Sequence, residues 1–407
     1  MWSGRVSPNF WKRQIPGGWS PGEETWVVLQ PFLLEKGYVL RARYQPGWIP
    51  SWSGLQNFYL FSDFEDGLMN KRFNIIDATK ASDRAQVMLK AVLKLSDPSQ
   101  GIGSYFAQEP QRSDPRNHCA PLLDVLHPPS VPDREILVYR RYLPWDIWPF
   151  QQVSEIVDLW TQAFEGLAFM HEHNTAHLDL SFSNIVMDGL HLLKEPNHPA
   201  NPGYTYAPKK RAVRHIERFE SERPVKYIFI DFDQSVRFGP DNPNHLWRRK
   251  KGQDNTAPEL RSPEPYDAFA LDVYCLGHMI LTHWLNAYKN LEFVRPLVQD
   301  MMYQDPARRP TARDVEARFR VIVAQLSAKD LRKSPRRVHG YDFTEYILGN
   351  VPARVPPQAS TDDSLLSKLF RRRRVASTPN RPTPSGGSSF ATADDLSTRM
   401  ASEPRQS

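Results

Sequence analysis

His177, Asp179 and Asn184 stand at fixed spacing in HLDLSFSNIV, residues 177–186, and their types suit one chemistry. A loop that serves phosphoryl transfer needs a polar set of this kind, set among apolar neighbours, because the moving group calls for fixed electrostatic partners and little covalent work. Three fixed residues arise by chance in a chain this long about once in twenty, so the pattern alone decides nothing. Its weight comes from what surrounds it in order. Lys90 ends VMLK, Asp231 opens DFD, Ala257-Pro258-Glu259 follows, and then come Asp272 in DVYCLG and Arg309 in DPARRPT.

The elements that must position these residues can be read from periodicity. FNIIDAT (73–79), a turn over 80–84 and AQVMLKAVLKL (85–95) predict a β-hairpin with Lys90 on its second strand. REILVYRRYLPW (134–145) predicts a further strand, ended by Pro144. In QQVSEIVDLWTQAFEGLAFMHEHN (151–174), Val153, Ile156, Val157, Trp160, Phe164, Leu167 and Met170 fall on one helical face. Residues 190–226 interrupt with Pro, Asn and the basic run KKRAVRHIER before the apolar strand VKYIFIDF, and two more helices are expected at 271–285 and 312–326. Strands first and helices after predict an α+β chain with two lobes of different class.

Residues 1–55, rich in Trp, Pro and Gly, read as an extension that lays aromatics on a neighbouring domain. From 331 the composition turns to Ser, Pro, Thr and Arg, including RRRR at 371–374, and predicts a disordered tail. The net charge of +6 is clustered rather than spread, which argues against nucleic acid as a partner. Cys119 and Cys275 are too few for a disulfide framework or an all-cysteine zinc site, and fit a reducing compartment. No run of eighteen apolar residues and no uninterrupted apolar leader is present, so a membrane span or secretion is not expected.

The succession of six motifs over roughly residues 60–325 resembles the eukaryotic protein kinase family. The aromatic lead-in and DPRNHC (114–119) are similar to divergent kinase-domain proteins of fungi in particular. The resemblance implies a two-lobed protein-kinase-like fold, with a small antiparallel β N-lobe over 56–143 and a mainly helical C-lobe over 144–330. It implies that Lys90 contacts the α- and β-phosphates of ATP, that Asn184 and Asp231 bind the nucleotide through Mg²⁺, and that Asp179 orients a substrate hydroxyl and accepts its proton. Catalysis would then rest on Asp179 and Lys90, with a protein substrate or signalling partner and a cytoplasmic or nuclear setting. His177 is expected beneath the loop as a structural residue. Glu259 and Arg309 match a buried ion pair, and Asp272 a helix carboxylate that holds the loop backbone.

The pattern also departs from the family. The stretch FYLFSDFEDGLMNK (58–71), where a GxGxxG loop would stand, holds only Gly67, and Asp63, Glu65 and Asp66 would repel phosphate if they faced it. The glutamate that would pair with Lys90 has only Glu109 as a candidate. Leu178 and Ser181 stand where the family carries two cations, and Asp233 replaces the third residue of DFG. Two readings follow: a slow ATP- and Mg²⁺-dependent Ser/Thr-type protein kinase, or a pseudokinase that binds nucleotide or scaffolds a partner. A small-molecule kinase is disfavoured, because APE, DVYCLG and RRPT belong to the peptide-facing part of protein kinases. The basic runs read first as solvated faces and second as import signals or patches for acidic partners.

Overall fold

The computed structural model describes residue 19 and residues 22–51, 64–68, 72–94, 98–206, 211–248 and 252–338, all within the chain's first unit, Met1–Gln358. Their architecture is mixed α+β, an antiparallel sheet near the start of the chain and helices after it. The tail run RRRR and Asp63 lie outside the described residues.

Helix α1 (Glu23–Glu35) leads into β1 (Tyr38–Val39), and a long connection separates β1 from β2 (Ile75–Lys80) and β3 (Gln86–Leu93). The hairpin expected from the alternation forms, with Lys90 opposite Ile75. After α2 (Ser99–Phe106), strands β4 (Leu122–Leu126) and β5 (Arg134–Arg140) complete a sheet of order β1-β2-β3-β5-β4 in which every neighbouring pair is antiparallel. Side chains alternate across β3. Val87, Leu89 and Ala91 pack with Trp26, Leu29 and Leu33 of α1, whereas Met88 and Lys90 point to the opposite face, onto a cleft. A slip of one residue would drive the Lys90 ammonium into the apolar layer, so burial of that layer fixes the register.

Residues 22–51, expected as an extension on a neighbouring domain, are built into the sheet's own core. Trp26, Tyr38 and Tyr44 are buried there, and β1 pairs with β2. The buried Glu23 carboxylate takes two hydrogen bonds from Arg43 at 2.7 and 2.8 Å and one from the Tyr44 hydroxyl at 3.0 Å. That contact ties the start of α1 to residues twenty positions later, a link that local periodicity cannot reveal.

The second core gathers around α3 (Val153–Glu172), which follows β6 (Leu143–Pro144). All seven apolar residues predicted for its inner face are buried. A capping box closes its N-terminus, with Gln152 and Glu155 satisfying each other's backbone N–H groups. Trp160 is fully buried against Trp284 and Phe319, and its truncation to Ala should cost about 3–5 kcal/mol. At Gly166 a Cβ would fall 2.8 Å from His118 and 2.9 Å from Phe229, so only glycine allows this approach.

The chain then runs through β7 (Thr175–Ala176), β8 (Ile185–Asp188), a hairpin of β9 (Asn197–His198) and β10 (Asn201–Thr205), and β11 (Lys226–Phe229). Strand β8 pairs with both β6 and β11, all antiparallel. Helices α4 (Ala268–Ile280), α5 (Arg295–Met301) and α6 (Ala312–Val323) complete the layer, and α6 packs along α3. No helix among the described residues is long and apolar enough to cross a membrane.

In the described part of the basic run Arg211 and Arg214 lie exposed, as a solvated face requires, and of its arginines only Arg218 turns inward. Arg211 and Arg214 pair with Glu195, and the buried Arg218 donates to the carbonyls of Trp145 and Trp148 at 2.6 and 3.1 Å while lying over the Phe150 ring. Those carbonyls turn away from regular structure where β6 ends, and Arg218 satisfies them.

Candidate active site

A cleft of about 480 Å³ opens between the sheet and the helical layer. Met88 and Lys90 line it from β3, Tyr139 to Tyr142 from the end of β5, Ser183 and Val186 from β8 and the turn before it, and Asp231 from the end of β11. Asp179 and Asn184 belong to the loop between β7 and β8 and lie beside this wall, not on it.

Lys90 is held by a short contact to the Asp231 carboxylate, Nζ to Oδ1 at 2.7 Å. It also donates to the Ser99 hydroxyl at 3.3 Å, from the first turn of α2. Glu109 plays no part: beyond the end of α2, its carboxylate accepts from the Ser113 backbone. The helix that approaches Lys90 therefore offers a hydroxyl where the sequence reading sought a carboxylate.

Asp231 carries a second cation. Arg72, just before β2, donates to Oδ2 at 3.0 Å. Burial by itself would raise the Asp231 carboxyl, but Lys90 and Arg72 outweigh it and hold the group below the ordinary carboxylate value. Its backbone is left-handed, with φ at 69°, a conformation that aspartate adopts more readily than most residues. That twist aims the carboxylate back into the cleft as the chain leaves β11 for the short 3₁₀ turn Phe232–Gln234, in which Asp233 serves as a turn residue.

The loop before β8 is fixed from beneath by α4. Asp272, fully buried, accepts from the backbone N–H groups of His177 and Leu178 at 2.7 Å each and from His171 at 3.1 Å. His177 is also fully buried; one ring nitrogen donates to the Ile230 carbonyl at 3.1 Å and the other accepts from the Asp179 N–H at 3.3 Å. Through its two ring nitrogens His177 clamps the loop to the Asp231 turn. Leu178 is buried with a left-handed φ of 62°.

Asn184 ties Asp179 to the residue before Asp231. Its amide donates to the Asp179 carboxylate at 2.9 Å and to the Asp179 carbonyl at 2.9 Å, while its own carbonyl accepts from Ile230 N at 3.0 Å. Two further hydrogen bonds reach Asp179 from just before Ala257: Gln253 N donates to Oδ1 at 2.7 Å and Gln253 Nε2 to Oδ2 at 3.2 Å. The Ser183 hydroxyl bonds the Gln253 amide oxygen at 2.9 Å. This segment is anchored on α4 by the Asp254–His278 pair at 2.7 Å. It is anchored below by Glu259, whose carboxylate meets Arg309 in two parallel bonds of 2.6 and 2.8 Å.

The structure thus brings Lys90 and Asp231 into contact, joins Asp179 to Asn184, and links the two pairs through one backbone hydrogen bond. Asn184 Oδ1 and the Asp231 carboxylate are hard oxygen donors of the kind a divalent cation of Mg²⁺ type accepts. Among the described residues no group of three or more His, Cys, Asp or Glu is placed to hold a metal ion by itself, so a cation here would need oxygens from its ligand and from water.

Sequence reasoning missed several residues of the site. Arg72 lies in a stretch without periodicity, Ser99 stands nine residues from Lys90 with no motif to mark it, and Gln253 reaches Asp179 across 74 residues. The segment 190–226, read as an interruption, sends β9 and β10 over the cleft, where Pro199 and Pro202 line it. Asn197 accepts from the buried Arg141 at 2.9 Å, and the buried His198 reaches the Glu65 carbonyl at 3.2 Å. Burial pushes the Arg141 guanidinium below its usual value, with Asp77 opposing. Glu65 and Asp66, whose charge the sequence set against phosphate, are tied elsewhere. Glu65 meets Arg41 and His198, and Asp66 accepts from Trp48 and from Ser51, its Oδ2 2.9 Å from each donor. Neither lines the cleft.

No protein-family model matches the chain, and a search of curated proteins finds no match.

Proposed function

We propose that this chain is a divergent protein kinase that binds Mg²⁺-ATP in the cleft and transfers the γ-phosphoryl group to a protein hydroxyl. In this reading the sheet core and the helical core are the two lobes of a protein-kinase-like fold. The observation that carries it is the convergence, at one end of a cleft of about 480 Å³, of the Lys90–Asp231 pair with the Asp179–Asn184 pair across a single backbone bond. The strand order β1-β2-β3-β5-β4, with α2 between β3 and β4, supports the same fold.

The residues divide the work as their chemistry allows. Lys90, fixed by Asp231 and Ser99, presents a cation to phosphate oxygens. Asp231 and Asn184 would hold Mg²⁺, which when bound neutralises phosphate charge. Asp179 accepts the hydroxyl proton once a substrate hydroxyl replaces the Gln253 donors on its carboxylate. Asp272 and His177 keep that carboxylate in place without touching substrate.

A pseudokinase reading has one observation in its favour. Both oxygens of Asp179 and both of Asp231 already have partners within the chain, so the fold is complete with no ligand bound. One experiment separates the two. Thermal unfolding with and without Mg²⁺-ATP, with Asp231→Asn as control, is coupled to transfer onto a generic peptide. Stabilisation with transfer supports the kinase and stabilisation without transfer the pseudokinase. No nucleotide-dependent stabilisation would remove the kinase reading.

A further inference from the structure

Arg72 has no role in the sequence pattern, yet its guanidinium sits on the cleft wall and, among the described residues, makes one hydrogen bond, to Asp231 Oδ2 at 3.0 Å. Lys90 already neutralises that carboxylate through Oδ1, so two cations meet this one carboxylate. The Arg72 side chain is 51% exposed, and an ion pair so open to water is weak. Fold stability therefore gives little reason for the contact, and releasing it costs little.

Position and chemistry point the same way. Arg72 ends the long connection from β1 to β2, the stretch that lacks the glycines by which backbone amides would approach phosphate. Ser181 puts a hydroxyl, hydrogen-bonded with that of Ser183, where the resemblance would place a cation. A guanidinium presents a planar fork of donors that matches phosphate oxygens, and it stays charged at any physiological pH. Of the acidic residues on the same connection, the described Glu65 and Asp66 are engaged away from the cleft.

We propose that Arg72 is a second phosphate-binding group of this cleft, beside Lys90, and works by exchange. Without ligand it is parked on Asp231; when a triphosphate enters it moves to the phosphate oxygens and frees Asp231 Oδ2 for the divalent cation that arrives with the ligand. The proposal rests on the nucleotide reading above and adds to it the residue that replaces a glycine-rich loop. It predicts effects of opposite sign at one position: loss of Arg72 weakens triphosphate binding and strengthens binding of a bare divalent cation.

The test uses the full chain and its Arg72→Ala and Arg72→Lys variants, titrated calorimetrically with Mg²⁺-ATP, adenosine, inorganic tripolyphosphate and Mn²⁺ alone. Arg72→Ala should weaken Mg²⁺-ATP and tripolyphosphate by about tenfold, leave adenosine unchanged and tighten Mn²⁺. Arg72→Lys, which keeps the charge but not the fork, should fall between. Equal losses for adenosine and ATP would overturn the proposal by making Arg72 a structural residue, as would ATP binding that Arg72→Ala leaves untouched. If the unsubstituted chain binds tripolyphosphate through Arg72 but not ATP, the phosphate site stands and the nucleotide reading falls. Binding of neither would end both.

Discussion

Replacing Asp231 by Asn tests whether its charge, more than its shape, holds the site together. Asn keeps an oxygen for Lys90 and removes the negative charge that two cations face. At 2.7 Å and an effective dielectric of about 20 the Lys90–Asp231 attraction is about 6 kcal/mol gross. Desolvation of the two groups, whose side chains are 9% and 14% exposed, cancels part of it. Stranding a buried ammonium generally costs about 3–5 kcal/mol, and the retained amide oxygen recovers some of this, so a loss of about 3 kcal/mol is expected at pH 7. For a folded unit of this size that lowers Tm by about 6 °C.

The pH dependence of this loss follows from the direction of the Asp231 shift. The folded carboxyl lies below its ordinary value of 3.8, so its stabilisation is complete above that value and is lost as pH falls through the depressed folded one. Denaturant unfolding of the wild-type chain and Asp231→Asn should therefore show a constant gap from pH 8 to pH 5, closing at more acid pH. A gap under about 1 kcal/mol at neutral pH, or one unchanged at pH 3, would refute the reasoning.

Other outcomes follow from the same contacts. Arg309→Met strands the Glu259 carboxylate and the carbonyls of Tyr303 and Ala270, and should cost about 3–5 kcal/mol in denaturant unfolding. The double variant with Glu259→Gln should be far less than additive, and additivity would mean the pair is not coupled. Turnover on a generic peptide should be unchanged by phosphatase treatment, because the buried Leu178 offers no charge to receive a phosphate on the segment before Ala257; a large drop would contradict this. Both cysteines are buried and burial pushes the Cys119 thiol well up, so native protein should resist a thiol reagent that modifies the unfolded chain fully.

Periodicity made the hairpin of β2 and β3 legible, because one face must bury Val87, Leu89 and Ala91 and the other then carries Lys90. The same logic made α3 legible, since its buried face repeats every three or four residues. The hairpin and the helix are features that local spacing determines. Asp272, Glu259 and Arg309 could be read only through the family resemblance, and each makes the long-range contact that the resemblance implied. What surrounds Lys90 was not legible: Arg72 lies 159 residues from the Asp231 it meets, and Gln253 lies 74 from Asp179. Nor did composition reveal that residues 22–51 belong to the sheet, because the Glu23–Arg43 pair that fixes them is a tertiary contact. The sequence by itself determined which residues carry the charge and which strands and helices hold them. Only the tertiary structure decided which charges meet, because an ion pair depends on the distance between side chains, and the chain sets that distance only when both cores are packed.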